Sequence, residues 1–148
     1  MARNYYGNGF ATVGTDKTAL ELVTTAAIRA KIYKIIVGSA ASPASQAALW
    51  QVKRHTATGT GTALTAVKVD PADPVALVTC KTNNSAEPTY TAADIPWELP
   101  LNQQASWEEN LSPGKEIVLA ASATAGAGLK SSTATGTAVH QGSMYWEE

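Results

Sequence analysis

The fold class is decided by Leu49–Asp70, LWQVKRHTATGTGTALTAVKVD. Apolar and polar side chains alternate in its first limb, Leu49–Arg54, and again in Val67–Val69 just before an Asp-Pro pair. A period of two is typical of antiparallel strands that have one buried face. The threonines and glycines between the limbs favour strands and turns respectively. The stretch therefore predicts a long hairpin whose tip, His55–Thr62, stands clear of the core.

Strand patterns recur along the rest of the chain. Lys31–Gly38, KIYKIIVG, predicts a buried strand because it is rich in β-branched residues and ends at a glycine. Thr18–Thr25 alternates like a strand, although a helical interpretation of Ala19–Ala30 remains open. With roughly eight to ten strand candidates at regular spacing, the sequence predicts an all-β fold. We expect an antiparallel β-sandwich, jelly-roll-like, in a single domain.

The N-terminal segment has a different composition. Met1–Gly14 is interrupted by glycine and asparagine, which break regular structure. We therefore predict an extended N-terminal arm over residues 1–14 and a single β-sandwich domain over residues 15–148. The aromatic side chains of the arm are available either to the domain's own core or to a neighbouring molecule: Tyr5, Tyr6 and Phe10.

Composition and charge exclude several classes of function. A net charge of −1 argues against a nucleic-acid partner, because nucleic-acid binders normally carry a basic face. No apolar run approaches the ~20 residues that a membrane span needs, and residues 1–9 lack the apolar part of a signal peptide. We therefore expect a protein made in a cytoplasm and without a membrane partner. The single cysteine, Cys80, is predicted to be a small buried filler.

The residue types that carry catalysis do not assemble into a motif. His55 and His140 are far apart and show no metal-ligand spacing. The TGTGT of Thr58–Thr62 lacks the lysine and helix of a phosphate loop. Asp70 and Asp73 offer a weak calcium alternative, without the glycine and glutamate of a calcium loop. The sequence thus predicts a protein that is not an enzyme, with no catalytic, cofactor-binding or metal-binding residues and no cofactor.

Tryptophans suggest either a core or a contact surface. Alternation predicts that Trp50 and Trp107 fill the core of the sandwich. Trp97 and Trp146 are the freer pair, and an exposed indole suits a protein interface. A carbohydrate-binding module is the alternative interpretation, because indole rings also stack on sugars.

Several strings resemble, in this order, those of small proteins encoded among the structural genes of tailed bacteriophages. The resemblance covers roughly residues 30–148 and excludes the arm. The strings are IYKIIVGS (Ile32–Ser39), SPA (Ser42–Ala44), LWQVKRHTATGTGTALTAVKVDPADP (Leu49–Pro74), EPTYTA (Glu87–Ala92), LNQQASW (Leu101–Trp107), PGKEIVLAA (Pro113–Ala121) and the ending Trp146-Glu147-Glu148.

This resemblance implies a virion structural protein. The first expectation is a capsid decoration (cement) protein that binds the major capsid protein lattice on the outer surface of the head and stabilises it. A tail or neck component is the alternative within the virion. The implied partners are the major capsid protein and the protein itself, as a homotrimer before a dimer, since trimers suit threefold positions of a capsid. The candidate interface residues are Tyr5, Tyr6, Phe10, His55, Thr58, Thr60, Trp97 and Trp146.

Overall fold

The computed structural model describes residues 2–12, 16–133 and 138–148 of the chain. Within these ranges the chain forms strands and connections and no helix, so the prediction of an all-β fold is confirmed and the helical interpretation of Ala19–Ala30 is wrong. In the same ranges we find no helix long and apolar enough to cross a membrane. The thirteen strands of the described residues are β1 (Asn4–Thr12), β2 (Lys17–Val23), β3 (Ala30–Ala41), β4 (Ala47–Ala57), β5 (Thr60–Leu64), β6 (Val67–Lys68), β7 (Thr79–Ala86), β8 (Thr89–Tyr90), β9 (Trp97–Asn102), β10 (Trp107–Asn110), β11 (Ile117–Leu119), β12 (Gly126–Ser132) and β13 (Val139–Glu147).

Two antiparallel sheets pack against each other. Sheet 1 has the order β10-β3-β13-β1-β6, and β11 also pairs with β3. Sheet 2 has the order β5-β7-β2-β12-β4-β8, and β9 also pairs with β4. This arrangement confirms the predicted sandwich, whereas the jelly-roll connectivity stays a prediction.

The core lies between the two sheets and follows the alternation of the strands. In β13 every second residue is buried, ending with Met144 and Trp146, while their neighbours face outward. Sheet 2 contributes Leu20, Leu22 and Leu129 to the same core, each fully buried. Cys80 is also in this core at 2% exposure, so its prediction as a buried filler is confirmed.

Sheet 2 closes on itself through two bent strands. β4 continues into β5 through Thr58-Gly59, and β7 continues into β8 through Glu87-Pro88. β4 pairs with β8 and β5 pairs with β7, so the two bent strands form one long antiparallel ladder from His55↔Tyr90 to Leu64↔Cys80. This closure covers the face of sheet 2 that points away from sheet 1. As a consequence β2 is buried on both faces, from Thr18 to Val23.

The predicted hairpin is wrong, because its limbs pair with other strands: β4 with β8, β9 and β12, and β6 with β1. His55–Thr62 is strand except for Thr58-Gly59, and the ladder turns at residues 65–78 instead. Gly59 and Gly61 serve close approach rather than a turn, since a Cβ on Gly59 would lie 2.5 Å from Asn84 Nδ2 and one on Gly61 2.1 Å from Asn84 Oδ1. The glycines therefore let the bent strand lie directly on the Asn84 side chain.

The predicted N-terminal arm is also wrong over Asn4–Thr12. This segment is β1, a strand inside sheet 1 that pairs with β13 along its whole length and with β6 on its other side. Backbone hydrogen bonds between Arg3 and Glu148 extend the pairing of the two terminal strands. The glycines that suggested a flexible arm face β2, where a Cβ on Gly9 would lie 2.2 Å from the carbonyl oxygen of Ala19. Residues 13–15, which the predicted domain boundary crosses, lie outside the described ranges.

Candidate functional site: an enclosed polar cluster and two exposed surfaces

A buried glutamate and a buried histidine lie side by side in the space enclosed by sheet 2. The side chains of Glu21 on β2 and His55 on β4 are both 0% exposed, and His55 Nε2 lies 3.5 Å from Glu21 Oε1. The backbone N–H of Gly59 donates to Glu21 Oε1 at 3.0 Å, and Asn84 Nδ2 donates to Glu21 Oε2 at 2.9 Å. Three segments of the ladder are thus fastened to one carboxylate on β2.

A second group of polar side chains fastens β8 to β2. Thr18 Oγ1 donates to Glu87 Oε2, and the Thr18 backbone N–H donates to the same oxygen at 3.1 Å. Tyr90 Oη lies 2.5 Å from Thr18 Oγ1. Because the Thr18 proton goes to the carboxylate, the Tyr90 hydroxyl is the donor to Thr18. Burial raises the pKa of Tyr90, so the phenol keeps the proton that this bond needs.

Glycines on β12 make room for both aromatic rings of this region. A Cβ on Gly128 would lie 2.0 Å from Tyr90 Oη, and one on Gly126 would lie 3.1 Å from His55 Nε2. The rings of His55 and Tyr90 meet edge to face, with centroids 6.2 Å apart. Lys53 and Lys130 place their ammonium groups 5.8 and 5.4 Å from the Tyr90 ring centroid. The Ala/Gly-rich composition of β12 is therefore a requirement of packing.

Electrostatics in the enclosure favour a neutral histidine. Burial lowers the pKa of His55, the Glu21 carboxylate opposes this shift, and the nearby Lys81 adds to it. The other histidine, His140, packs its ring 5.3 Å from that of Trp50, and burial lowers its pKa as well. Both histidines are enclosed rather than exposed at a tip or surface.

The chemistry that the cluster can perform is limited by its enclosure. Neither Glu21 nor His55 exposes any side-chain surface, so a substrate has no contact with this pair in the described fold. In the part of the chain that the structure describes, no group of three or more His, Cys, Asp or Glu side chains could hold a metal ion. The cluster has a structural role, because the hydrogen bonds of Glu21 and Thr18 join β2 to the ladder.

The predicted interface residues fall into two sets. Three of them are buried and are removed from the interface: Tyr5 and Trp146, each 0% exposed, and His55 at 2%. Trp146 is buried because it faces Ile32 across the sheet and stacks on Tyr5 with centroids 6.1 Å apart. The others keep solvent-accessible surface: Phe10 at 45%, Thr58 and Thr60 exposed, and Tyr6 and Trp97 half-buried.

The two core tryptophans predicted from alternation have different outcomes. Trp50 is buried, as predicted, but Trp107 is 46% exposed. Trp107 lies on the edge strand β10, where only β3 is a neighbour, so little covers its ring. With Trp146 buried, the pair of free tryptophans that suggested carbohydrate binding does not exist.

One exposed surface was not predicted, and we call it the 65–78 loop patch. It consists of four exposed aliphatic side chains on the connection between β5 and β7: Val67 (45%), Val69 (53%), Val75 (74%) and Leu77 (48%). A groove of about 220 Å³ between this loop and β5 is lined by Ala66, Val75 and Ala76 among others. The signal in the sequence was an apolar run, Val75–Val78, directly after turn residues rather than inside a strand pattern.

Hydrogen bonds hold the loop in place. Lys68 Nζ donates to the carbonyl oxygens of Pro71 and Asp73, both at 2.8 Å. The backbone N–H groups of Leu77 and Val78 donate to the Glu148 carboxylate, both at 2.9 Å. The apolar side chains of the loop are therefore exposed on a backbone that hydrogen bonds hold in place.

The second exposed surface is the outer face of sheet 1. Tyr6 and Tyr145 are cross-strand partners whose rings stack with centroids 5.0 Å apart and an interplanar angle of 20°. Tyr33 lies 6.2 Å from Tyr145, and Lys34 places its ammonium group 5.3 Å from the Tyr145 ring centroid. Because Tyr6 and Tyr145 stack on each other, one face of each ring is already occupied.

Comparisons with known proteins give no relative for this chain. No protein-family model, no curated protein and no solved structure matches it.

Proposed function

We propose that this chain is a bacteriophage virion structural protein, a capsid decoration protein that binds the major capsid protein lattice on the outside of the head. The observation that carries a binding role is the 65–78 loop patch. Exposed apolar surface is typical of interaction sites on soluble proteins. Here Val67, Val69, Val75 and Leu77 are exposed within residues 65–78, between β5 and β7, whose backbone is fixed by hydrogen bonds. A fixed backbone reduces the entropy lost on binding.

The resemblance of residues 30–148 to small proteins from the structural genes of tailed phages supports the virion part of the proposal. It includes the strings Leu49–Pro74 and Leu101–Trp107. A decoration protein needs a stable scaffold without disulfides. The enclosed hydrogen bonds of Glu21 and Tyr90 provide such a scaffold in a chain whose single cysteine, Cys80, is buried.

The proposed contact is apolar and is made mainly by the patch. Burying one valine or leucine side chain contributes about 1.5–3 kcal/mol. Binding should therefore depend weakly on salt, since salt screens charges and leaves apolar contact largely unaffected. The copies are proposed to group as a homotrimer on the head.

The test is to add purified protein to particles that lack it and to measure the bound copies. The variant V75D/L77D places two carboxylates in the patch and should bind at less than a tenth of the wild-type level, because a carboxylate is costly to bury. Wild-type occupancy should be nearly equal in about 50 mM and about 500 mM salt. Unfolding in urea checks that the variant is folded.

The matched control is T56D, which adds a carboxylate at an exposed position of β4. It should bind like the wild type. If V75D/L77D binds as well as T56D, the docking surface is wrong. If the wild-type protein does not bind the heads at all, the proposed function itself is wrong.

A further inference from the structure

A polar cleft opens on the outer face of sheet 1, next to the stacked tyrosines, since Asn8 and Ser143 form the following outward-facing pair of β1 and β13. It has a volume of about 400 Å³ and lies between β3 and β13 on one side and the connection 103–106 on the other. Of the described residues that line it, none is charged. Most carry an amide or a hydroxyl group: Asn8, Ser39, Gln103, Gln104, Ser106, Gln141 and Ser143.

Gln103 is the unusual residue of this cleft. It is only 3% exposed, and its Oε1 accepts a hydrogen bond from the backbone N–H of Ala44 at 3.2 Å. This bond fixes the orientation of the amide, because an N–H must face the oxygen and not the nitrogen. Gln103 Nε2 is then a buried donor without a partner in the described fold. A buried donor of this kind is destabilising unless a ligand or water satisfies it.

The lining defines the chemistry of a ligand. Amide and hydroxyl groups supply both donors and acceptors, and a polyhydroxylated neutral molecule offers the same mixture. A charged ligand would lose its hydration without meeting an opposite charge. Phe10, nearly half exposed, lies opposite Gln141 on the outer face of sheet 1, so apolar ring surface borders the cleft on one side. A volume of about 400 Å³ falls within the range of small-molecule sites.

We propose that this cleft is a binding site for a neutral saccharide, with Gln103 Nε2 donating to a sugar hydroxyl. The site differs from the one that the tryptophans suggested, because neither Trp97 nor Trp146 lines the cleft. It is independent of the proposed role on the head and of the 65–78 loop patch.

The experiment is a titration of the isotope-labelled full-length protein with neutral pyranosides, followed by NMR. The probes are the methyl glycosides of glucose, galactose and mannose, and N-acetylglucosamine, at up to about 50 mM because single-sugar contacts are weak. At least one probe should shift the amide signals of Gly38, Ser106 and Gln141, which line the cleft. Glucuronate, a charged analogue, should shift them at least about tenfold less at equal concentration.

A plug variant makes the test specific. A Cβ on Gly38 would lie 3.4 Å from the Cβ of Ser106, which is ordinary contact, so G38L fills the cleft without a backbone clash. G38L should abolish the shifts, and A57L, which adds the same side chain at an exposed site on β4, should preserve them. The proposal is overturned if none of the probes shifts the cleft signals, which would mean that water alone satisfies Gln103. It is equally overturned if G38L responds like the wild type.

Discussion

At the scale of single residues, the stability of the enclosed cluster depends on the Glu21 carboxylate. It accepts hydrogen bonds from Gly59 and Asn84 and lies beside His55, all without contact with water. A buried carboxylate is tolerated only when donors compensate for its lost hydration. Glu21 therefore holds the bent ladder on β2 as long as both of its oxygens remain acceptors.

Replacing Glu21 by glutamine tests this role. In E21Q one acceptor oxygen becomes a donor, so either Gly59 N–H or the Asn84 amide faces another N–H group. The free energy of unfolding should fall by about 1–3 kcal/mol, the cost of an unsatisfied buried donor. Urea denaturation measures it. E98Q, which changes a surface glutamate bonded to Gln51, is the control and should shift stability by less than about 0.5 kcal/mol.

The buried histidines predict a loss of stability on mild acidification. Burial lowers the pKa of both His55 and His140 in the folded state, whereas in the unfolded chain a histidine titrates near about 6.5. Below that pH the unfolded chain binds more protons than the folded one, so the free energy of unfolding falls as the pH decreases. The loss begins near the unfolded value and is absent at higher pH.

His140 allows this prediction to be tested one group at a time. Its ring nitrogens have no partner in the described fold, so leucine can replace it without breaking a hydrogen bond. Between about pH 7.5 and about pH 5.5, H140L should lose roughly half as much stability as the wild type, since only His55 then remains to titrate. An unchanged pH dependence in H140L would show that His140 binds its proton equally in the folded and unfolded states, which would contradict the prediction.

At the scale of elements, the contact between β1 and β2 sets how closely the two sheets approach. Gly7 and Gly9 lie on the same buried face of β1. A Cβ on Gly9 would lie 2.2 Å from the backbone oxygen of Ala19, whereas one on Gly7 would lie 3.4 Å from its nearest neighbours, Cys80 Sγ and a Leu20 methyl. The backbone of β2 cannot yield as a side chain can, so the two glycines are not equivalent.

Two alanine substitutions separate these glycines. G9A should lower the free energy of unfolding by about 1–3 kcal/mol, because β1 must move away from β2. G7A should leave it unchanged or raise it by up to about 1 kcal/mol, since glycine within a strand costs conformational entropy. Urea denaturation of both variants and of the wild type measures these changes in the free energy of unfolding. Equal effects would contradict the close approach of the sheets at Gly9.

The elements also show which parts of the fold the sequence could predict. A period-two pattern identified the strand around Trp50, and a run of β-branched residues ending at a glycine identified the strand around Ile35. These patterns did not identify which strands pair with each other. The glycines of His55–Thr62 suggested a turn. Glycine is needed there because the side chain of Asn84, more than twenty positions away in the sequence, packs directly against the backbone. Likewise, Glu21 alternates with leucines, a pattern that favoured a strand, but no local pattern reveals that a second layer covers Glu21.

At the scale of the whole molecule, the candidate surfaces were the least predictable part. Tyr5 and Trp146 were expected at an interface because they lie near the chain ends, but the pairing of β1 with β13 buries both. The 65–78 loop patch was missed because exposure of Val75 depends on the loop leaving the core, which composition does not encode. Of the three aromatic residues expected at an interface in the N-terminal segment, Phe10 has the exposed side chain, at 45%, and it lies in a strand rather than in an arm.

Cryo-electron microscopy of intact particles that contain this chain tests whether it is a capsid decoration protein that docks through the 65–78 loop patch. We expect density for the two-sheet sandwich on the outer surface of the head, in groups of three. Val75 and Leu77 should lie within contact distance of the major capsid protein. Density for the sandwich on the tail or neck, or on the head with the patch facing solvent, would contradict it.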